Sequence, residues 1–294
     1  MDAPIFTGVC TALITPFENG AVNLRKLTEL LERQIEAEIP AVCLCGTTGE
    51  AATMTEAEQS EVLRVGKRTL RGRAKLIAGA GSNDTRSAVR RCKSAADLGA
   101  DAVLVVTPYY NKGNRAGLLE HYLQVADASP CPVIVYNVPS RTGVDLPVDV
   151  LAELSRHPNI AGCKEASGDI VKTIRILRAC SPSFAVWSGN DDQIVPMLSV
   201  GASGVISVLS NLLPAETKRM TDACTSGDYP AAAKLQKDLI RLTDALFSDV
   251  NPVPIKRAMN LLGYGVGTTR LPLGGIGAEA EEKLKRELGA YGLI

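Results

Sequence analysis

The sequence is poor in histidine, has no surplus of either charge and contains no long apolar run, and each absence removes a class of function. Only two histidines occur. His121 lies inside a segment of helical period and His157 directly precedes Pro158, so neither stands where a strand would deliver a side chain to a site; both read as structural. The eight cysteines (10, 43, 45, 92, 131, 163, 180 and 224) form no CxxC pair and have no adjacent histidine ligand. This argues against a zinc site or a disulfide framework and for reduced core residues. Lys plus Arg total 32 and Asp plus Glu total 32, so no net charge draws the chain to a polyanion, and nucleic acid is not an expected partner. No run of about 18 apolar residues is present and Met1 to Pro4 lacks a basic stretch followed by an apolar one, so neither a membrane span nor a secretory signal is expected and the cytoplasm is. Gly79-Ala80-Gly81 lacks the third glycine of a dinucleotide fingerprint, Gly274-Gly275-Ile276-Gly277 follows no predicted strand, and no Walker lysine pattern occurs. Proton chemistry is left to Lys, Tyr, Glu, Asp, Thr or Cys, with no metal and no organic cofactor expected.

What is present is a soluble globular composition, 46% hydrophobic and 22% charged over 294 residues. Eight short apolar runs stand near Val9–Thr15, Ala41–Cys45, Lys75–Ala80, Ala102–Thr107, Val133–Val138, Ile160–Lys164, Phe184–Ser188 and Gly204–Val208. They are nearly continuous in Val, Ile, Leu, Ala and Cys, as in parallel strands covered on both faces. Between them lie segments of helical period such as Leu24–Glu38, Glu56–Leu70, Ser87–Leu98 and Ala116–Ala128. Eight alternating units of about 25 to 30 residues, without a long insertion, predict a closed (β/α)8 TIM barrel in preference to an open doubly wound sheet. After Asp222 the pattern breaks at Gly227, Asp228 and Pro230, and three helices follow near Ala231–Phe247, Pro254–Leu262 and Glu279–Leu288. The expected division is a barrel over 1–226 and a C-terminal helical appendage over 227–294, too small to stand alone and so packed on the barrel or on another subunit.

In such a barrel, reactive groups gather at the carboxyl ends of the strands. Lys164 closes the sixth run and shares strand parity with Gly162, so an inward Ile160 face would carry its amine into the barrel mouth. Burial would disfavour the ammonium form, which is what a Schiff-base nucleophile needs, and the small Gly162 would leave room for a carbonyl substrate. The same residues also fit a lysine that reaches outward to solvent. Tyr136 shares a face with Ile134 one strand earlier; its phenol either passes protons beside the amine or packs in the core. Thr47 and Thr48, between Gly46 and Gly49, form a tight turn suited to a carboxylate, or cap the following helix. Glu50 reads as support for that turn. Arg141, after Pro139 and Ser140, either grips a second carboxylate at the entrance or is a solvated loop residue. Tyr109 and Tyr110 fit an exposed pair, a packing pair or a patch that meets another subunit.

Four segments in order, Gly46-Thr47-Thr48-Gly49-Glu50, Thr107-Pro108-Tyr109-Tyr110-Asn111-Lys112, Tyr136-Asn137-Val138-Pro139-Ser140-Arg141-Thr142-Gly143 and Lys164-Glu165-Ala166-Ser167, resemble the dihydrodipicolinate synthases over essentially the whole chain. These belong to the pyruvate-dependent class I aldolases, with N-acetylneuraminate lyase. The resemblance implies a lyase in which Lys164 forms an imine with pyruvate. The derived enamine attacks L-aspartate 4-semialdehyde, and cyclisation gives hydroxytetrahydrodipicolinate on the diaminopimelate route to lysine. It implies a proton relay of Thr47, Tyr136 and Tyr110, the last from a neighbouring subunit of a homotetramer built as two dimers. Thr48 would hold the pyruvate carboxylate and Arg141 that of the semialdehyde, with Gly189 and Ile206 lining the pocket by their backbone. Arg141 and the paired threonines favour this reading over a neuraminate lyase, while the keto-deoxy-sugar aldolases of the wider family share much of the pattern and stand as the alternative. Gly113 and Asn114 stand where the family commonly has Pro and Thr, and Asn190 where it often has Asp, which puts the local loop geometry in question. Asn83 and Tyr109 match lysine-inhibited members, but Ala51, Glu56, Gln59 and Ser87 replace their other effector contacts, which implies weak or absent lysine feedback.

Overall fold

The eight apolar runs become the eight parallel strands found among the described residues, 3–294, of the computed structural model. They are β1 (Gly8–Ala12), β2 (Ala41–Leu44), β3 (Lys75–Gly79), β4 (Ala102–Val106), β5 (Val133–Asn137), β6 (Ile160–Glu165), β7 (Ala185–Ser188) and β8 (Gly204–Ser207). Each pairs with its sequence neighbours and β8 closes on β1, giving the TIM barrel. Side chains alternate between its two faces. Cys10, Cys43, Ile77, Leu104, Ile134, Trp187 and Ile206 fill the interior, while Val9, Val42, Val103, Val133, Val186 and Val205 face the surrounding helices. Below β1 the Phe6 ring stacks on Trp187 at 4.9 Å and its carbonyl accepts from the indole N–H, plugging the amino-terminal end.

One helix or more follows each strand: α1 (Leu24–Glu36), α2 (Glu56–Leu70), α3 (Thr85–Asp97), α4 (Arg115–Ala128), α5 (Val148–Leu154), α6 (Ile170–Ala179), α7 (Ile194–Ser199) and α8 (Pro214–Thr225). Their starts are written locally. Thr55 and Glu58 form a capping box on α2, and Asp84 caps α3. Asn114, one of the departures noted above, caps α4 by accepting from Gly117 N at 2.9 Å, so the substitution supplies a helix start.

Two expectations need correction. The first strand ends at Ala12, not Thr15. Beyond it the chain leaves the sheet: Ile14 N donates to the Asn211 side chain and the Thr15 hydroxyl to Gly49 O, before a short hairpin of Phe17–Glu18 and Ala21–Val22. The Ile160 face is the outer one. Val133 pairs with Ile160 but Ile134 pairs with Gly162, so Ala161 is an extra residue in β6. This bulge reverses the parity, leaving Ile160 among the outward residues while Gly162 and Lys164 point inward.

After Gly227, at φ 83°, Asp228 caps α9 (Tyr229–Leu246), followed by α10 (Val253–Leu261) and α11 (Ala278–Ala290). Helix α9 packs on α7 and α8, α10 and α11 pack on α9 and on each other, and the segment after α10 returns to the cavity rim at Pro272 and Leu273. There Val266 O accepts from Phe17 N, and Gly267 lies so close that a Cβ would sit 1.8 Å from Phe17 O. Arg270 makes a two-pronged pair with Glu58 of the α2 cap.

Candidate active site

A cavity of about 620 Å³ opens at the carboxyl ends of the strands, and Thr47, Thr48, Tyr136, Arg141, Lys164 and Gly189 all line it. Two expected residues lie elsewhere. Ile206 is fully buried in the barrel interior, outside the lining, where Val208 takes the cavity-facing place. Tyr110 is 88% exposed at φ 74° and points away from its own chain's cavity, whose rim carries Tyr109 instead.

Lys164 is delivered by β6 in register with Tyr136 of β5. Its side chain does not reach outward: the residue is 6% exposed and the amine nitrogen lies 4.3 Å from the centroid of the Tyr136 ring. Gly162 does not make the room for a carbonyl. A Cβ there would stand 2.1 Å from Ala185 O and 2.8 Å from the Trp187 ring, so the missing side chain is filled by β7. The space beside the amine comes from Gly189, where a Cβ would meet Lys164 Cε at 3.1 Å and Ala166 Cβ at 2.5 Å. Its N–H donates to Glu165 O at 2.7 Å, fixing that close approach. Asn190, another departure, also lines the cavity, and its N–H donates to the Ser188 hydroxyl.

The threonine turn is held by residues of the C-terminal region. Thr47 is exposed to the cavity and Thr48 is buried. Neither caps α2, whose cap is Thr55. Glu50, at φ 55°, is buried and accepts from Lys256 Nζ at 2.6 Å and from Arg270 N at 2.9 Å, so it supports the turn through an ion pair to α10. Lys256 is 2% exposed; burial lowers its pKa and the Glu50 carboxylate opposes that. Asn251 donates to the Thr48 hydroxyl at 2.9 Å, and its carbonyl accepts from Arg141 at 3.3 Å. Arg141 itself rides on a one-turn helix, Pro139–Thr142, stopped by Gly143 at φ 71°. Asn251 and Lys256 were missed in the sequence because they lie in the C-terminal region, remote from every strand end. The basic pair Lys256 and Arg257 within the otherwise mostly apolar Val253–Leu261 stretch was the available signal.

The other ionisable groups at the barrel mouth are committed or neutral. Burial pushes the Cys43 thiol up to about 11, with Lys164 pulling the other way, and raises Cys10 and Cys45 further, so these thiols do not compete as nucleophiles near neutral pH. Asp191 is buried and accepts from Val208 N and Leu209 N, both at 2.9 Å. Burial raises its pKa and the bonds from these amides oppose the rise. His121 is buried with Nδ1 against the Thr85 hydroxyl, and His157 pairs with Asp127; both are remote from the cavity lining. A buried amine beside a phenol, two hydroxyls and a guanidinium at the rim can condense with a keto acid, move protons and hold carboxylates.

The family model for the dihydrodipicolinate synthetase family matches residues 5–291. A 4-hydroxy-tetrahydrodipicolinate synthase from Thermoanaerobacter sp. (strain X514) is 46% identical over 292 residues, covering 99% of this chain and 98% of the relative. A crystal structure of the enzyme from Cyanidioschyzon merolae with lysine bound is 41% identical with a TM-score of 0.96, covering 99% of this chain and all of that one. The chloride-inhibited enzyme from Acinetobacter baumannii complexed with pyruvate is 38% identical, also with a TM-score of 0.96, over 98% of this chain and all of its own.

Proposed function

We propose, from the premise that this chain belongs to the dihydrodipicolinate synthetase family, how its own residues carry the family reaction. The reaction is the 4-hydroxy-tetrahydrodipicolinate synthase one: pyruvate condenses with L-aspartate 4-semialdehyde, by a lyase of lysine biosynthesis. Lys164 is the nucleophile. Its amine adds to the pyruvate ketone, water leaves, and loss of a methyl proton gives the enamine that attacks the aldehyde carbon. The amino group of the semialdehyde portion then displaces Lys164 from the imine carbon and closes the ring.

The single observation that carries this assignment is the inward, buried amine of Lys164 beside the Tyr136 ring. Tyr136 passes protons to and from the adduct, with Thr47 and a Tyr110 from a neighbouring subunit completing the relay. Thr48 receives the pyruvate carboxylate, Arg141 the semialdehyde carboxylate, and the backbone at Gly189 shapes the chamber. The exposure of Tyr110 and Tyr109 supports a dimer that supplies the missing phenol, and two such dimers form the tetramer. The barrel, 1–226, carries the chemistry, and 227–294 buttresses it through Asn251 and Lys256. Neither a metal nor an organic cofactor enters the scheme. Among the described residues no helix is long and apolar enough to cross a membrane, and work on small metabolites suits the cytoplasm.

An assay with both substrates tests the assignment. Consumption of pyruvate with L-aspartate 4-semialdehyde and release of the cyclic product is the expected result; activity only with sugar aldehydes would overturn it. The Ser87 hydroxyl is taken by Asp84 at 2.7 Å and Glu56 by Arg90 at 2.8 Å, so the same assay is expected to keep its initial rate in micromolar lysine.

A further inference from the structure

Behind the two proposed reacting groups, on the outer face of the barrel, lies a buried polar cluster that plays no part in the chemistry above. Asn137 follows Tyr136, Glu165 follows Lys164, and the two are register partners on β5 and β6. The Asn137 amide donates to Glu165 Oε2 at 3.0 Å and Oε1 at 3.2 Å and to Asp145 Oδ1 at 2.8 Å, while its oxygen accepts from Leu146 N at 3.0 Å. Glu165 also accepts from Ser167 N at 2.6 Å. Lys172 of α6 pairs with Asp145 and lies 3.9 Å from Glu165. Asn137 and Glu165 are essentially without solvent contact.

One side chain therefore ties three segments together: β5, which carries Tyr136; β6, which carries Lys164; and the stretch just after the Arg141 turn. Only an amide serves here. An aspartate would set a third carboxylate against Glu165 and Asp145 with one lysine to balance them, and a leucine would leave Leu146 N and part of Glu165 unpaired in the interior. Because successive strand residues point to opposite faces, Asn137 cannot touch a substrate in the cavity; it acts through the residue before it. We infer that Asn137 is a positioning residue that sets the Tyr136 phenol against the Lys164 amine, an inference that rests on Lys164 forming the imine.

The test is a double-mutant cycle read by the rate at which pyruvate forms the borohydride-trappable imine. Asn137→Ala is expected to slow that step about tenfold while the pyruvate KM moves less than about twofold, the size a small misalignment of reacting groups produces. In a Tyr136→Phe background it should add less than about twofold, because the group it positions is gone. An equal slowing in both backgrounds would overturn the inference and leave Asn137 a purely structural residue. If Asn137→Ala does not fold, Glu165→Gln, which keeps the shape and the acceptor for Ser167 N, is run through the same cycle with the same two outcomes. The parent protein separates the two claims: no covalent mass gain with pyruvate and borohydride would remove the Lys164 reading, whereas mass gain with additive effects would remove only the role of Asn137.

Discussion

At the scale of single residues, the buried partners of the threonine turn matter as much as the turn itself. Lys256 and Glu50 form an almost dry ion pair, and removing one member leaves the other's charge without compensation. Lys256→Met is expected to cost about 3 to 5 kcal/mol of stability in denaturant unfolding and to raise the pyruvate KM as the Thr47–Thr48 turn loosens. A loss below about 1 kcal/mol would show that Glu50 is satisfied by Arg270 N alone. The residues of the site were unevenly legible. Lys164, Tyr136 and Arg141 stand at strand ends, where the barrel pattern itself raises the prior on polar side chains. Asn251 and Lys256 reach Thr48 and Glu50 from 203 and 206 residues away, a proximity that no local spacing encodes.

At the scale of elements, the apolar runs located every barrel strand because burial on both faces leaves a nearly continuous Val, Ile and Leu signal. Facing was harder. The extra residue at Ala161 flips Ile160 outward, and such a bulge carries no composition of its own, so parity counted from Ile160 reached the right orientation for Lys164 only through its nearer neighbour Gly162. The Phe17–Val22 hairpin was invisible for a related reason: two-residue strands are too short for a period. Helix α4 carries a testable consequence of its burial. His121 has its pKa lowered from 6.5 to about 4, chiefly by desolvation, with Asp84 opposing. The folded state thus binds fewer protons than the unfolded one across that window, so His121 contributes stability fully above about 6.5 that is lost as the pH falls toward 4. Unfolding curves at stepwise pH should fall less steeply below 6.5 for His121→Gln than for the parent; parallel curves would contradict the burial of a neutral imidazole.

At the scale of the whole molecule, one chain builds a cavity but leaves Tyr110 outside it, at the end of a positive-φ turn and almost fully in solvent. On the proposed relay a single subunit lacks one phenol, so full activity is expected to need assembly. Sedimentation of the purified protein is expected to show a tetramer, with Tyr110→Phe slowing turnover without changing the assembly; a fully active monomer would contradict the shared site. The C-terminal region has the corresponding role within one chain, since its Asn251 and Lys256 hold Thr48 and Glu50.

The most direct measurement is intact-mass analysis of the parent protein and Lys164→Arg after incubation with pyruvate and borohydride. The parent should gain the mass of one reduced pyruvyl adduct, mapped by peptide fragmentation to residue 164, and the variant should gain nothing. An unmodified parent, or an adduct on another lysine, would contradict the account.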